Sequence, residues 1–98
     1  MTSSAKAYWI ARVTVTDPEA YASYQALAPK AFAKYRARFL ARGGQAITCE
    51  GQEWQRQVVI EFDSLDDARA CYNSPEYHAA REKRKDACHA EIFIVEGI

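Results

Sequence analysis

A set of phenols is the group of residues best suited to hold a small ligand. Five tyrosines recur in segments with helical periodicity: Tyr21, Tyr24, Tyr35, Tyr72 and Tyr77. Half-buried tyrosines of this kind are ordinary core residues whose hydroxyls reach the rim, but the same hydroxyls can orient a ligand in an apolar pocket. Both interpretations stay open at this stage, and the ligand interpretation singles out Tyr24 and Tyr77.

One arginine extends this candidate site. Arg84 lies two helical turns after Tyr77, on the same predicted helix face. A guanidinium binds a carboxylate through two parallel hydrogen bonds, so Arg84 could hold the acidic group of a ligand. A salt bridge from the helix to the sheet edge explains the arginine equally well. The candidate ligand site is therefore Tyr24, Tyr77 and Arg84.

Catalytic and metal chemistry have little support in the sequence. His78 lies in a charged stretch, where we expect an exposed side chain, and Cys88 directly precedes His89. Because adjacent side chains diverge on helices and strands alike, we expect no nucleophile–base pair there. No His, Cys or carboxylate spacing typical of a metal site occurs, and no glycine-rich phosphate loop. We therefore expect no metal and no cofactor, and we assign no catalytic residue.

Composition narrows the class of protein. The 98 residues form one predicted domain, 1–98, with 1–7 as a loose lead-in. Thirteen basic and thirteen acidic residues give a net charge of zero, which argues against a nucleic-acid partner. No apolar run approaches the roughly 20 residues that span a bilayer, so we expect no membrane partner. The three cysteines have no disulfide or zinc spacing and no secretory signal is visible, so we expect buried free thiols in the cytoplasm.

Helix-start residues divide the chain. Asp17 precedes Pro18 and opens a helix over 18–36, in which Pro29 predicts a kink or a break into two helices. Ser64 opens a second helix. The Asn73–Glu76 stretch stops that helix and starts another, with Ser74 as its cap.

Runs rich in β-branched and aromatic residues predict strands over 8–15, 56–63 and 90–96. The stretch before Gly43 is ambiguous. Either the first helix continues through Phe39 to Arg42, or 38–42 is a strand with the glycine pair as a bulge or bend before 45–50. We prefer the strand.

The order strand, helix, strand, strand, helix, strand is typical of an α+β fold of the ferredoxin-like, split-βαβ type. It predicts a four-stranded antiparallel sheet in the spatial order fourth, first, third, second, with the Pro-broken helices on one face. Alternation directs Trp9, Ala11, Val13 and Val15 of the first strand toward the helices.

The opposite face of that sheet is predicted to be free of helices and too apolar to remain in water. It would carry Tyr8, Ile10, Arg12 and Thr14, then Val59 and Glu61, and either Ile92 with Ile94 or Phe93 with Val95. We therefore expect this face to pack against its copy in a closed homodimer. We also expect Arg12 and Glu61 to pair across neighbouring strands.

Several stretches carry a family resemblance: 8–24, 39–44, 58–68, 74–77, Arg84 and 94–97. Through them the sequence resembles the domain-of-unknown-function 1330 family, of the dimeric α+β barrel group of ferredoxin-like proteins. The resemblance spans nearly the whole chain, and it supports the strand over 39–44. Relatives often carry glycines before that strand, where Arg36 and Ala37 stand here. The resemblance implies a homodimer with no established reaction.

Three functional hypotheses follow. The first is a homodimer that holds a small organic molecule between helices and sheet, with or without turning it over. The second is a non-catalytic structural or regulatory dimer module. The third, a cofactor-independent oxygenase or isomerase, rests on analogy of fold alone. A cavity filled by aromatic side chains would favour the second, and an open cavity with Arg84 in its wall would favour the first.

Overall fold

A computed structural model of the chain describes residues 5–98. Over these residues the chain forms a four-stranded antiparallel sheet and three helices. The elements are β1 (Ala7–Val15), α1 (Pro18–Lys34), β2 (Arg38–Arg42), β3 (Arg56–Phe62), α2 (Leu65–Tyr72), α3 (Pro75–Lys83) and β4 (Cys88–Glu96). The strand order β2-β3-β1-β4 confirms the predicted ferredoxin-like arrangement. Part of the predicted lead-in, residues 1–4, lies outside the described residues, and Ala7 already belongs to β1.

The core lies between the helices and one face of the sheet, and an aromatic cluster occupies its centre. Trp9 of β1 is 1% exposed and contacts four other rings. Its ring meets Phe32 edge-on at 5.1 Å between centroids and Tyr77 at 5.0 Å. Such edge-to-face pairs are a favoured aromatic geometry. The alternation predicted for β1 is confirmed, since Trp9, Ala11 and Val13 are all buried.

The predicted caps form as the sequence indicates. The Asp17 carboxylate accepts from the backbone N–H of Ala20, and the Ser64 hydroxyl accepts from that of Asp67. Ser74 is 3% exposed; its hydroxyl accepts from the N–H of Tyr77 and donates to the carbonyl of Cys71 at 2.7 Å. This hydroxyl therefore ties the end of α2 to the start of α3.

The first helix follows one of the two alternatives predicted for it. The chain from Pro18 to Lys34 is one helix that contains Pro29, rather than two helices. A proline removes one backbone donor, and the packing of Ala28 and Phe32 against the core, where each is 4% exposed, outweighs that loss. After Lys34 the helix ends at once.

The end of α1 explains the boundary that the sequence left open. Arg36 adopts a left-handed conformation with φ of 58°, and its N–H donates to the carbonyl of Ala33. The N–H of Ala37 donates to the carbonyl of Phe32. This pair of hydrogen bonds is a Schellman motif, in which glycine is the usual residue at the position of Arg36. It turns the chain into β2 and confirms the strand interpretation of this segment.

β2 contains an irregularity that the sequence analysis placed elsewhere. Arg38 pairs with Glu61 and Phe39 with Ile60, but Ala41 then pairs with Val59, which leaves Leu40 as an extra residue. The bulge therefore lies at Leu40 and not at the glycine pair. Gly43, with φ of 74°, makes the bend, and the stretch 45–50 is not a strand.

The structure confirms a face of the sheet that is free of helices, but it contradicts the charge pair predicted on that face. Phe93 and Val95, each 45% exposed, are its β4 members, whereas Ile92 and Ile94 pack against the core. The predicted pair of Arg12 and Glu61 is wrong. In the observed register Arg12 lies opposite Gln57 and Glu91, and its guanidinium is 3.9 Å from the Glu91 carboxylate.

Glu61 instead accepts from Arg38, with 2.8 Å between the Arg38 Nε and a carboxylate oxygen. It also accepts from the hydroxyl of Tyr8, the residue directly opposite it. Arg38 reaches the Asp63 carboxylate at 3.0 Å as well. These hydrogen bonds to Arg38 lower the pKa values of both carboxyl groups.

Candidate functional site

A cavity lies where α1 crosses the covered face of the sheet. About 50 Å³ of it is open to water, several times the ~10–15 Å³ that one water needs. Its walls come from α1 and all four strands, and the side chains that matter below are Tyr21, Tyr24, Phe39, Arg42, Arg56 and Arg84. A largely apolar concave site with a few polar groups is the usual form of a small-molecule pocket.

The structure brings together the three residues that the sequence singled out. The hydroxyls of Tyr24 and Tyr77 are 2.9 Å apart and share a hydrogen bond. Arg84 donates to the Tyr77 hydroxyl at 3.4 Å, and its guanidinium carbon lies 5.0 Å from the centre of the Tyr24 ring. Tyr24 and Arg84 line the cavity. Tyr77 is fully buried behind them and contacts both, so it is placed to orient Tyr24 and Arg84 rather than to touch a ligand.

Three elements hold this group in place. Tyr24 projects from α1, Tyr77 from the first turn of α3, and Arg84 from the residue that ends α3. The Ser74 cap fixes the backbone of Tyr77 through its N–H. The backbone N–H of Arg84 donates to the carbonyl of Arg81, so Arg84 leaves the helix in a defined direction.

The phenol in the cavity wall is a hydrogen-bonding group and not a base. Burial raises the pKa of Tyr24 far above its ordinary value, and the neighbouring Tyr77 raises it further. Tyr24 therefore keeps its proton at neutral pH. Because a guanidinium has no acceptor and always carries its charge, Arg84 also acts as a donor.

Two further arginines in the cavity wall were missed by the sequence analysis. Arg56 opens β3 and shares the covered face with Val58 and Ile60, so strand alternation alone could have found it. Arg42 reaches the same cavity, with its guanidinium carbon 4.3 Å from the centre of the Phe39 ring. Its position depends on the bulge at Leu40, for which the sequence gives no signal.

Arg56 lies close to the backbone at the bend after β2. A Cβ added to Gly43 would overlap the Arg56 guanidinium. Arg56 also lines a more open cleft of about 360 Å³ beside the cavity, together with Tyr21 and Gly43. The guanidinium thus stands in the wall that the cavity and this cleft share.

The remaining reactive residues lie away from the cavity. His78 and His89 are both exposed, and neither contributes to its wall. Cys71 is buried, as predicted for the cysteines, and burial raises its pKa to about 12, which makes it unreactive. Cys49, by contrast, is exposed, and Cys88 is half-buried. Within residues 5–98 no group of three or more His, Cys, Asp or Glu side chains could hold a metal ion.

The fold and the cavity define a class of protein. A split-βαβ sheet with its helices on one face and the opposite face free of helices is the ferredoxin-like α+β arrangement. None of the helices in the described part of the chain is long and apolar enough to cross a membrane. The family model named domain of unknown function 1330 matches residues 6–98, and the chain belongs to that family.

Solved structures share the fold. A protein of unknown function from Rhodopseudomonas palustris is 16% identical with a TM-score of 0.79, over 96% of this chain and 83% of that one. A dimeric ferredoxin-like protein of unknown function from Bacteroides fragilis is 19% identical with a TM-score of 0.64, over 94% and 96%. SnoaB, a cofactor-independent oxygenase from Streptomyces nogalater, is 14% identical with a TM-score of 0.63, over 97% and 95%. No curated protein matches the sequence.

Proposed function

We propose that this protein is a homodimer that binds a small organic molecule in the cavity between α1 and the sheet. The observation that carries the proposal is an open cavity whose wall contains Tyr24 and Arg84. A core filled by its aromatic side chains would instead have favoured a purely structural module. Tyr77 supports the site from behind through its hydrogen bonds to Tyr24 and Arg84.

Binding is a better-supported role than catalysis. Tyr24 stays protonated because burial raises its pKa, and Arg84 has no proton-accepting atom. A general base must lie within hydrogen-bond reach of the proton that it removes. The residues that line the cavity, all from the described range 5–98, include no histidine and no carboxylate. The oxygenase among the structural neighbours is 14% identical to this chain, so the likeness supports the shared fold and carries no argument about a reaction.

Ligand binding is tested by thermal shift with a panel of small acids, phenols and neutral molecules. A bound compound is expected to raise the melting temperature by mass action. Ala90→Phe places a ring in the cavity from the sheet side, where Ala90 lies in its wall, and should abolish the shift. Ala79→Phe adds the same ring at an exposed position of α3, outside the cavity wall, and should keep it. If no compound raises the melting temperature, the proposed function is wrong.

The homodimer is proposed to form through the helix-free face. Ile10 lies between Val59 and Phe93 in adjacent strands, which makes an apolar row across the centre of that face. Arg12 and Glu91 lie beside this row, as in interfaces with an apolar centre and a polar rim. The ferredoxin-like neighbour from Bacteroides fragilis is a dimeric protein, which supports the same assembly here.

Sedimentation equilibrium tests the assembly. We expect the mass of two chains at micromolar concentration, and the mass of one chain for Phe93→Glu with an unchanged far-UV circular dichroism spectrum. His78→Glu introduces the same charge on α3, on an exposed position away from the sheet, and should remain dimeric. A wild-type mass of one chain would refute the dimer. The three free cysteines support a reducing, cytoplasmic location for it.

A further inference from the structure

The charges in the cavity wall are unbalanced. Arg42, Arg56 and Arg84 all line the cavity, and no Asp or Glu of the described residues does so. Across residues 5–98, none of the three guanidinium groups has a carboxylate oxygen within 4.0 Å. Arg56 and Arg84 are half-buried, and charged groups removed from water are ordinarily paired with an opposite charge. A cavity wall with two half-buried arginines and a third at its exposed rim, and with no carboxylate partner among the described residues, is therefore suited to an anionic occupant.

The hydrogen bonds of the two deeper arginines lead to the same conclusion. The acceptors of Arg84 are neutral: the Tyr77 hydroxyl at 3.4 Å and the Cys88 sulfur at 3.9 Å. The Nε–H of Arg56 is buried and has no hydrogen-bond partner among the residues described. Since the large majority of buried side-chain polar atoms are hydrogen-bonded, a missing acceptor beside Arg56 needs an explanation. A bound anion would supply it.

Arg56 and Arg84 line the same cavity. Tyr21 lines it with them. Burial raises the pKa of Tyr21, and the charges of Arg56 and Arg84 both oppose that rise, which is consistent with their shared place in the cavity wall. Arg42 is exposed and lies at the rim, against the Phe39 ring.

The geometry points to an organic acid as the occupant, with its carboxylate held by Arg84 and Arg56 and its apolar body against the Trp9 and Phe32 side of the cavity. This inference rests on the proposed function, because it names the class of molecule that the cavity binds. A carboxylate matches the planar fork of a guanidinium, and the small, largely apolar cavity favours a compact acid over a bulky phosphate ester.

Pairs of an acid and its amide, which have nearly the same shape, test whether the occupant is an organic acid. Isobutyrate and isobutyramide have nearly the same shape, and so do acetate and acetamide, but only the acids are charged at neutral pH. We expect each acid to bind about tenfold or more tightly than its amide, measured by titration calorimetry at pH 7, because charge-assisted hydrogen bonds are about twice as strong as neutral ones. The Arg84→Gln and Arg56→Gln variants should each reduce that preference at least severalfold.

Arg69→Gln is the matched control, because Arg69 is exposed at the end of α2 and lies outside the cavity wall. It should keep the full preference for the acids. Circular dichroism of each variant checks that the fold is retained, and Arg56→Lys provides a second variant that keeps the charge but loses the planar fork.

The outcomes separate the two proposals. If acids and amides bind equally, the cavity binds small molecules but the inferred class is wrong. If neither binds and no other compound raises the melting temperature, the proposed function itself fails. If inorganic phosphate binds as tightly as isobutyrate, the site responds to charge alone and the organic acid is ruled out. Acid binding that survives both glutamine variants would place the anion elsewhere and overturn the assignment.

Discussion

The arginines on the two faces of the sheet differ in whether a carboxylate lies beside them. On the open face Arg38 contacts the carboxylates of Glu61 and Asp63, and Arg12 lies beside Glu91. On the covered face Arg56 and Arg84 are half-buried and, over the described chain, have no such partner. A face that is neutral by itself can pack against an identical copy without repulsion. A face with unbalanced positive charge and a cavity is instead suited to a small anion.

The largest expected effect comes from the centre of the covered face. Trp9→Ala removes a buried ring that contacts four others, and we expect a loss of about 3–5 kcal/mol in the free energy of unfolding. Chemical denaturation measures it. Ile10→Ala, one residue along β1, is the counterpart on the open face; its effect should be smaller and should grow with protein concentration. If both variants lost the same free energy of unfolding at every protein concentration, the two faces would not differ in the way described.

A second change affects the junction that supports the covered face. Ser74→Ala removes the cap of α3 and leaves the Cys71 carbonyl without its hydroxyl donor, so we expect a loss of about 1–2 kcal/mol. Ser64→Ala should lower the free energy of unfolding less, because the hydroxyl of Ser64 makes one hydrogen bond in the structure and that of Ser74 makes two. Urea denaturation of both variants gives the order, and the reverse order would contradict the role assigned to Ser74.

A third change concerns the turn that carries the chain from α1 into β2. Arg36 occupies the left-handed position of a Schellman motif, where a side chain is strained and glycine is not. Arg36→Gly is therefore expected to stabilise the protein by about 0.5–1 kcal/mol, although it gives up a long, exposed ion pair with Asp63. Thermal unfolding measures the gain, and Arg36→Ala, which keeps the strain, should show none.

The smallest effect is the pH response of the open face. Hydrogen bonds to Arg38 lower the pKa of Glu61 from 4.5 and that of Asp63 from 3.8. Their contribution to stability is therefore complete above the unfolded values and is lost as pH falls through the folded ones. Arg38→Met should flatten the dependence of stability on pH below about 5, whereas Arg12→Met, which contacts neither carboxylate, should preserve it. An unchanged profile for Arg38→Met would contradict this assignment.

Local signals predicted most of the fold. Asp17, Ser64 and Ser74 all cap helices as expected, because a cap depends on residues within one turn of each other. Alternation correctly assigned the buried side of β1. The pairing of Tyr24, Tyr77 and Arg84 also follows from helical spacing together with the packing of two helices on one face.

The predictions that were wrong or missing concern features that depend on contacts between distant parts of the chain. The partner of Arg12 depends on register, and a shift by an even number of residues keeps every side chain on its face while changing its neighbours. The bulge at Leu40 moves Arg42 to the covered side, whereas regular alternation would pair it with Arg38 on the open side. Arg56 is different, since counting back by two from Val58 would have placed it correctly.

Gly43 has a consequence for the evolution and redesign of the site. The Arg56 guanidinium occupies the space that a side chain at position 43 would need. A side chain at position 43 would displace that guanidinium. Even Gly43→Ala would therefore move a positive charge in the cavity wall. Through that displacement, a glycine outside the proposed set of ligand-binding arginines would also affect the anion preference that we propose for the cavity.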